Sequence, residues 1–202
     1  VVGSPRKTLL WSTDAETWHT GGQIEDKVCT HFRGGAYGND RFVFVGNHGG
    51  SGGPSWAAVS TDGTTISGVN TDLPGHGAIV FRAGKFYMLH SHSDADLIAS
   101  ADGLDWKKVD LPEGVKLSWL VDTGKELLVG AKNRTIYRSA DGVSWSKTEF
   151  TPPRGNVKWS DGTRFIATAW PGKMSYSPDG KTWQESPPLS ANGINRVLAG
   201  QR

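Results

Sequence analysis

The 202-residue sequence predicts an all-β fold, a five-bladed β-propeller built from four-stranded antiparallel blades. Two observations predict this fold class. A seven-residue motif recurs five times, at intervals of 48, 40, 39 and 38 residues, and a period near 40 residues is typical of a propeller blade. The segments between the motifs contain short apolar runs separated by turns with Gly or Asp, which indicate strands.

The repeated motif predicts a tight turn followed by an apolar anchor. Asp-Gly favours such a turn, and the Ser and Asp side chains can hydrogen-bond to the turn amides. Four of the five copies then place a Trp. We name the strands of a blade A to D in chain order and expect the motif to join C to D. The copies are "STDAETW" from Ser12, "STDGTTI" from Ser60, "SADGLDW" from Ser100, "SADGVSW" from Ser139 and "SPDGKTW" from Ser177.

Residue arithmetic predicts that both ends of the chain complete one blade. From Ser177 to the C-terminus is 202 − 177 = 25 residues, and 12 more lead to Ser12, giving 37, close to one period. The C-terminal segment would add inner strand A to strands B, C and D from the N-terminus. We therefore predict a single propeller domain, 1–202, with blades at 193–202 plus 1–22, 28–72, 76–111, 115–150 and 154–187.

The pattern S-x-D-G-x-x-W resembles the Asp-box, or bacterial neuraminidase repeat, of sialidases and many other secreted or periplasmic propellers. The resemblance implies a propeller, a secreted or periplasmic location, and a structural role for the motif at the blade periphery, away from the functional site. Structural roles are accordingly expected for Asp14, Asp62, Asp102, Asp141, Asp179, Trp18, Trp106, Trp145 and Trp183.

The resemblance does not extend to sialidase activity. The sialidase site needs six blades, three arginines that clamp a carboxylate, and a tyrosine–glutamate nucleophile pair. This sequence predicts five blades, and none of its four tyrosines is expected on an inner face beside a Glu.

Composition excludes several functional classes. The net charge is only +2, and no basic run exceeds a pair of residues, so we expect no nucleic-acid partner. No apolar run approaches the length of a membrane span. The single Cys29 rules out an internal disulfide framework.

Strand direction sorts the connections onto two faces of the predicted propeller. The A–B and C–D turns, with the motif, share one face, and the B–C and D–A loops share the other. Because the motif turns are expected to be structural, we predict the functional site on the face with the B–C loops. The extra residues of the longest repeat lie there, in "GNHGGSGGPS" at 46–55.

Five of the six histidines fall on that face of the second and third blades. Clustered neutral imidazoles are ordinary ligands of zinc or copper. Two alternatives stay open: histidines used for acid–base chemistry or glycan contacts, and unrelated solvated histidines. The metal hypothesis assigns the ligands to His48, His90, His92 and Asp94. The catalytic hypothesis adds His31 and His76 at the starts of two A strands, with Arg33 and Arg196 as carboxylate clamps.

Basic and aromatic residues occupy the same face of the other blades. A cationic rim suits an anionic ligand such as a uronate or a sulfated glycan, and an exposed Trp ring can stack on a sugar. A solvated surface of Lys and Arg is the alternative explanation. The predicted ligand-binding residues are Trp170, Arg134, Arg154, Lys173 and Arg6.

Three functions fit these features. The first is a secreted propeller with one composite site for a carbohydrate or small molecule. If the cationic rim takes part in binding, the carbohydrate is anionic. The second is a zinc- or copper-dependent enzyme, such as a lyase or hydrolase of acidic polysaccharide, that uses the histidine cluster. The third is a protein-interaction scaffold.

Overall fold

The computed structural model describes residues 2–3, 8–24, 31–47, 55–73, 77–89, 95–112, 115–194 and 197. These residues form nineteen β-strands. None of them belongs to a helix long and apolar enough to cross a membrane. The chain divides into two compact units, Val1–Val109 and Asp110–Arg202.

The first unit contains three antiparallel sheets. Their strands are adjacent in the sheet in the same order as in the chain. The first sheet consists of β1 (Val2–Gly3), β2 (Thr8–Trp11) and β3 (His19–Gln23). The second consists of β4 (His31–Gly38), β5 (Arg41–Asn47), β6 (Ser55–Ser60) and β7 (Gly68–Leu73). The third consists of β8 (Ile79–Arg82), β9 (Lys85–Leu89), β10 (Leu97–Ser100) and β11 (Lys107–Lys108).

The second unit contains two four-stranded antiparallel sheets, again ordered as in the chain. One consists of β12 (Leu117–Asp122), β13 (Leu127–Ala131), β14 (Ile136–Ser139) and β15 (Ser146–Lys147). The other consists of β16 (Asn156–Ser160), β17 (Phe165–Ala169), β18 (Lys173–Ser177) and β19 (Gln184–Glu185).

The five sheets follow the order of the predicted blades, and the predicted antiparallel architecture is confirmed, with four strands described in the second to fifth sheets. In the first sheet, β1, β2 and β3 take the places of strands B, C and D, as predicted for the N-terminal residues. The predicted strand A of that blade, in 193–202, falls largely outside the described residues.

Period-two alternation explains how each sheet is covered on both faces. On β5, Val43 and Val45 join one buried cluster with Ile79 and Met88 of the third sheet. The intervening Phe44 points the other way and joins a cluster with Leu9 of the first sheet. Full burial of such side chains contributes about 1.5–3 kcal/mol each. Packing of the second sheet between the other two therefore holds the first unit together.

The second unit has its own core between its two sheets. Trp119, Leu128, Phe165 and Ala167 are all buried there. Gly130 pairs directly with Trp119 across the β12–β13 ladder, and a Cβ at Gly130 would lie within 2.5 Å of the indole ring. The glycine therefore provides the space that the indole ring occupies.

Three of the inner strands contain β-bulges. The pairing register shifts between Phe32 and Gly34 in β4, between Leu117 and Trp119 in β12, and between Val157 and Trp159 in β16. The residues skipped by the shifts are Arg33, Ser118 and Lys158. A bulge removes one residue from the alternation of the strand and re-aims its side chain.

Candidate ligand-binding site

Antiparallel order gives each sheet two distinct ends. The A–B and C–D connections lie at one end, which we call the turn end, and the B–C and D–A connections lie at the other, which we call the loop end. In the second sheet, Ser60 begins the motif at the turn end and pairs with Phe42, near the start of β5. His31 pairs with Asn47 at the loop end.

The motif copies at the turn end are closed by internal hydrogen bonds. In the fourth copy, Asp141 Oδ1 accepts hydrogen bonds from the amides of Val143 and Ser144, both at 2.8 Å. It also accepts a hydrogen bond from the hydroxyl of Ser139 at 2.9 Å. Ser139 Oγ in turn accepts the amide of Gly142 at 2.8 Å. These backbone donors stabilise the ionised carboxylate, so the pKa of Asp141 lies well below its usual value.

The other four copies repeat this geometry, with two amides 2.7–2.9 Å from one oxygen of each Asp. In the fifth copy, hydrogen bonds from the backbone of Thr182 and Lys181 lower the pKa of Asp179 to about 2. Of the anchor residues, Trp106 donates its indole N–H to Gly103 O at 2.9 Å and Trp183 to Thr151 O at 2.8 Å. The polar groups of these residues therefore stabilise the turn end, whereas the predicted site residues belong to the loop end.

In the first unit, the structure places two predicted site residues at the loop end of the second sheet. His31 is the first residue of β4, and its side chain is exposed. Arg33, the bulge residue, donates Nε–H to Oδ1 of Asn47 at 2.7 Å. Asn47 is fully buried, so its carboxamide holds the Arg33 side chain in a defined position. His31 and Arg33 therefore lie at the same end of one sheet.

Most of the predicted histidine cluster lies outside the described residues. This holds for His48, His76, His90, His92 and Asp94, and also for Arg6 and Arg196. In the part of the chain that the structure describes, no group of three or more His, Cys, Asp or Glu residues could hold a metal ion. The zinc or copper site stays a prediction.

In the second unit, Trp170 lies on the loop between β17 and β18, at the loop end, and is 73% exposed. The Trp170–Pro171 peptide bond is cis. The next residue, Gly172, has φ +45°, and its carbonyl accepts the amide of Leu189 at 2.9 Å. A Cβ at Gly172 would lie 2.7 Å from the carbonyl carbon of Ser190. The Trp170 loop is therefore held by close backbone packing on the segment that follows β19.

The remaining described candidates are cations at the loop end of the second unit. Arg134 lies between β13 and β14 and donates Nη2–H to Pro152 O at 3.4 Å. Arg154 precedes β16, and its Nε is 3.9 Å from a carboxylate oxygen of Glu185. Lys173 is the first residue of β18, one position beyond the loop in which the sequence predicted it. The ladder continues to the pair Ala169–Lys173 and so brings this lysine into the strand.

Sequence reasoning missed Lys158, the bulge residue of β16. Its side chain is exposed along part of its surface, yet burial of the amine lowers its pKa. Within the described residues it has neither a hydrogen-bond nor an ion-pair partner. The sequence carried a signal in "VKW", where a Lys stands between two apolar residues of a predicted inner strand.

Comparison with solved structures identifies the architecture. The chain aligns with a streptogramin B lyase over 96% of its length, with a TM-score of 0.63 and 10% identity. It aligns with YCF48 bound to D1 peptide over 93%, with a TM-score of 0.59 and 16% identity. The GH74 xyloglucanase from Xanthomonas campestris aligns over 95%, with a TM-score of 0.57 and 18% identity. The chain has a β-propeller fold.

The low sequence identities and partial coverage limit what these comparisons show. At 10–18% identity the similarity concerns the fold alone. The chain spans 63% of the length of the lyase and of YCF48, and 34% of the xyloglucanase. No family model matches the sequence, and no curated protein matches it at a significant level.

Proposed function

We propose that this propeller binds a carbohydrate at the loop end of its blades and that Trp170 is the stacking platform. The observation that carries the proposal is the 73% exposure of an indole ring on a loop fixed by backbone packing. An exposed Trp offers a large, rigid apolar face, which matches the apolar face of a sugar ring. A loop already held in place loses little conformational entropy on binding.

The charge at this end favours an anionic sugar. Arg134, Arg154 and Lys173 lie at the loop end of the same unit as Trp170, and Lys173 has no ion-pair partner among the described residues. Cations at one end of a unit attract carboxylates or sulfates even though the net charge of the chain is only +2. The three cations come from different segments of the chain, so such a site would be composite.

We also propose that the turn motifs are Asp-boxes and that the protein is secreted or periplasmic, as its resemblance to that repeat family implies. The repeated hydrogen bonds of Ser139 and Asp141, present in all five copies, support the first statement. The similarity to a fold found in a xyloglucanase is compatible with a sugar ligand.

A peptide ligand is the second candidate. Leu189, 60% exposed, is attached to the Trp170 loop through its amide and adds apolar surface that a sugar does not require. The similarly folded YCF48 was solved bound to D1 peptide. A metal-dependent enzyme stays the third possibility and depends on histidines outside the described residues.

Isothermal titration with a panel of neutral and acidic oligosaccharides tests the proposal. We expect Trp170→Ala to weaken the binding of any saccharide ligand by about 10–100-fold, equivalent to about 1.4–2.8 kcal/mol. Trp18→Ala is the matched control, because Trp18 is 46% exposed but lies on a motif turn. Equal affinities of the two variants would overturn the proposal, and binding of unstructured peptides alone would favour the second candidate.

A further inference from the structure

The bulge in β16 gives Lys158 a position that no other residue of its strand has. Val157, on one side, is buried in the core of the second unit, and Trp159, on the other, is partly buried. The register skips Lys158 between them, and Lys158 itself is exposed. β16 is an edge strand of its sheet. The backbone groups on its outer side therefore have no partner within this sheet.

Lys158 is also an uncompensated cation. Partial burial lowers the pKa of the Lys158 amine, although the residue as a whole is exposed. The described residues offer it no carboxylate and no hydrogen-bond acceptor. An ammonium group without a counter-charge gains favourable electrostatic energy when an anion binds beside it.

We propose that Lys158 is the centre of an oxyanion subsite that binds a carboxylate or sulfate group of the ligand. The ammonium supplies charge and up to three donors, and it stands on the edge strand of its sheet. The inference rests on the proposed carbohydrate function for the nature of the ligand. The subsite itself can be tested without any sugar.

The strand register places this subsite within reach of the Trp170 platform. Lys158 lies opposite the step between Ile166 and Ala167, and Trp170 follows Ala167 by three residues. At about 3.3 Å per residue the two positions are about 10 Å apart along the sheet. An oxyanion at Lys158 would therefore belong to a sugar next to the one stacked on Trp170, so the preferred ligand is an acidic oligosaccharide and not an acidic monosaccharide.

The primary test measures the accessibility of the Lys158 amine. The whole protein is reductively methylated in sodium chloride, sodium acetate or sodium sulfate at equal ionic strength, and modification is quantified by peptide mass spectrometry. We expect acetate or sulfate at ten times its Kd to slow the methylation of Lys158 about tenfold relative to chloride. Lys147, exposed on the outer strand β15, is the internal control and should be unaffected. Greater protection by acetate identifies a carboxylate subsite, and greater protection by sulfate a sulfate subsite.

Two variants separate a binding role from a structural one. Lys158→Met removes the charge and keeps the length of the side chain. We expect it to leave the unfolding temperature unchanged or raise it, and to weaken binding of an oligogalacturonate about 10–100-fold with no effect on a neutral oligosaccharide. Lys147→Met should change neither quantity.

The outcomes distinguish this inference from the proposed function. Equal methylation rates of Lys158 in chloride, acetate and sulfate would overturn the subsite, and the carbohydrate proposal would stand if Trp170→Ala still weakened saccharide binding. Protection of Lys158 by an oxyanion, together with no binding of any saccharide by the unsubstituted protein, would support the subsite and overturn the carbohydrate proposal.

Discussion

Substitution of Gly172 by Ala tests whether the Trp170 loop is held as described. Gly172 has φ +45°, a conformation that costs an Ala about 1–2 kcal/mol. Its Cβ would also lie 2.7 Å from the carbonyl carbon of Ser190, 2.8 Å from the carbonyl oxygen of Asn192, and closer still to the Ser190 oxygen. These are backbone atoms, so the loop and the segment after β19 must separate, which adds about 1–3 kcal/mol. We expect a total loss of about 2–5 kcal/mol.

Gly124→Ala is the matched control for the strain alone. Gly124 lies in the same unit with φ +83°, and nothing stands within 4 Å of the position of its Cβ. Denaturant unfolding should therefore show a loss of only about 1–2 kcal/mol for Gly124→Ala. The Gly172 variant should in addition lose saccharide affinity, because Trp170 is displaced. Equal losses of stability for the two variants would refute the close packing of the Trp170 loop.

Three further predictions concern the turn end. Ser139→Ala leaves the buried amide of Gly142 without its acceptor and should lower the free energy of unfolding by about 1–2 kcal/mol, whereas the same change at exposed Ser146 should have no measurable effect. The pKa of Asp179 falls from 3.8 in the unfolded chain to about 2 in the fold, so its stabilising contribution is complete above pH 4 and is lost as the pH falls towards 2. The unfolding temperature should drop across that window, and less steeply in Asp179→Asn; equal slopes would contradict this. Asn39 donates hydrogen bonds to Gly84 O at 2.8 Å and to Ala101 O at 3.0 Å, both in the connections of the next sheet. Asn39→Ala should therefore lower the free energy of unfolding, measured by chemical denaturation, by about 1 kcal/mol. An unchanged free energy of unfolding would mean that these bonds contribute nothing.

The sequence predicted the sheets because their determinants are local. The motif turns are closed by residues two and three positions apart, such as Ser139 with Asp141 and Gly142. The alternation of Val43, Phe44 and Val45 predicts a strand covered on both faces. Both signals can be seen within a few residues of the chain.

The candidate site was less predictable because its determinants are not local. The bulges that re-aim Arg33 and Lys158 depend on the register with the next strand, which no short pattern specifies. The packing of Gly172 against the chain near Ser190 likewise joins segments that are separate in sequence. The sequence could place Trp170 on a loop but could not show that the loop is held in place.

The proposed binding site of this propeller is the loop end, with Trp170 as its platform. Fluorine NMR of protein labelled with 5-fluorotryptophan and titrated with the oligosaccharide panel detects binding at the Trp170 ring itself. Trp170→Ala and Trp18→Ala assign the two resonances. We expect the Trp170 resonance to shift on addition of a saccharide ligand and the Trp18 resonance, on a motif turn, to stay unchanged. A panel in which no saccharide moves the Trp170 resonance, or a ligand that moves only the Trp18 resonance, would contradict this proposal.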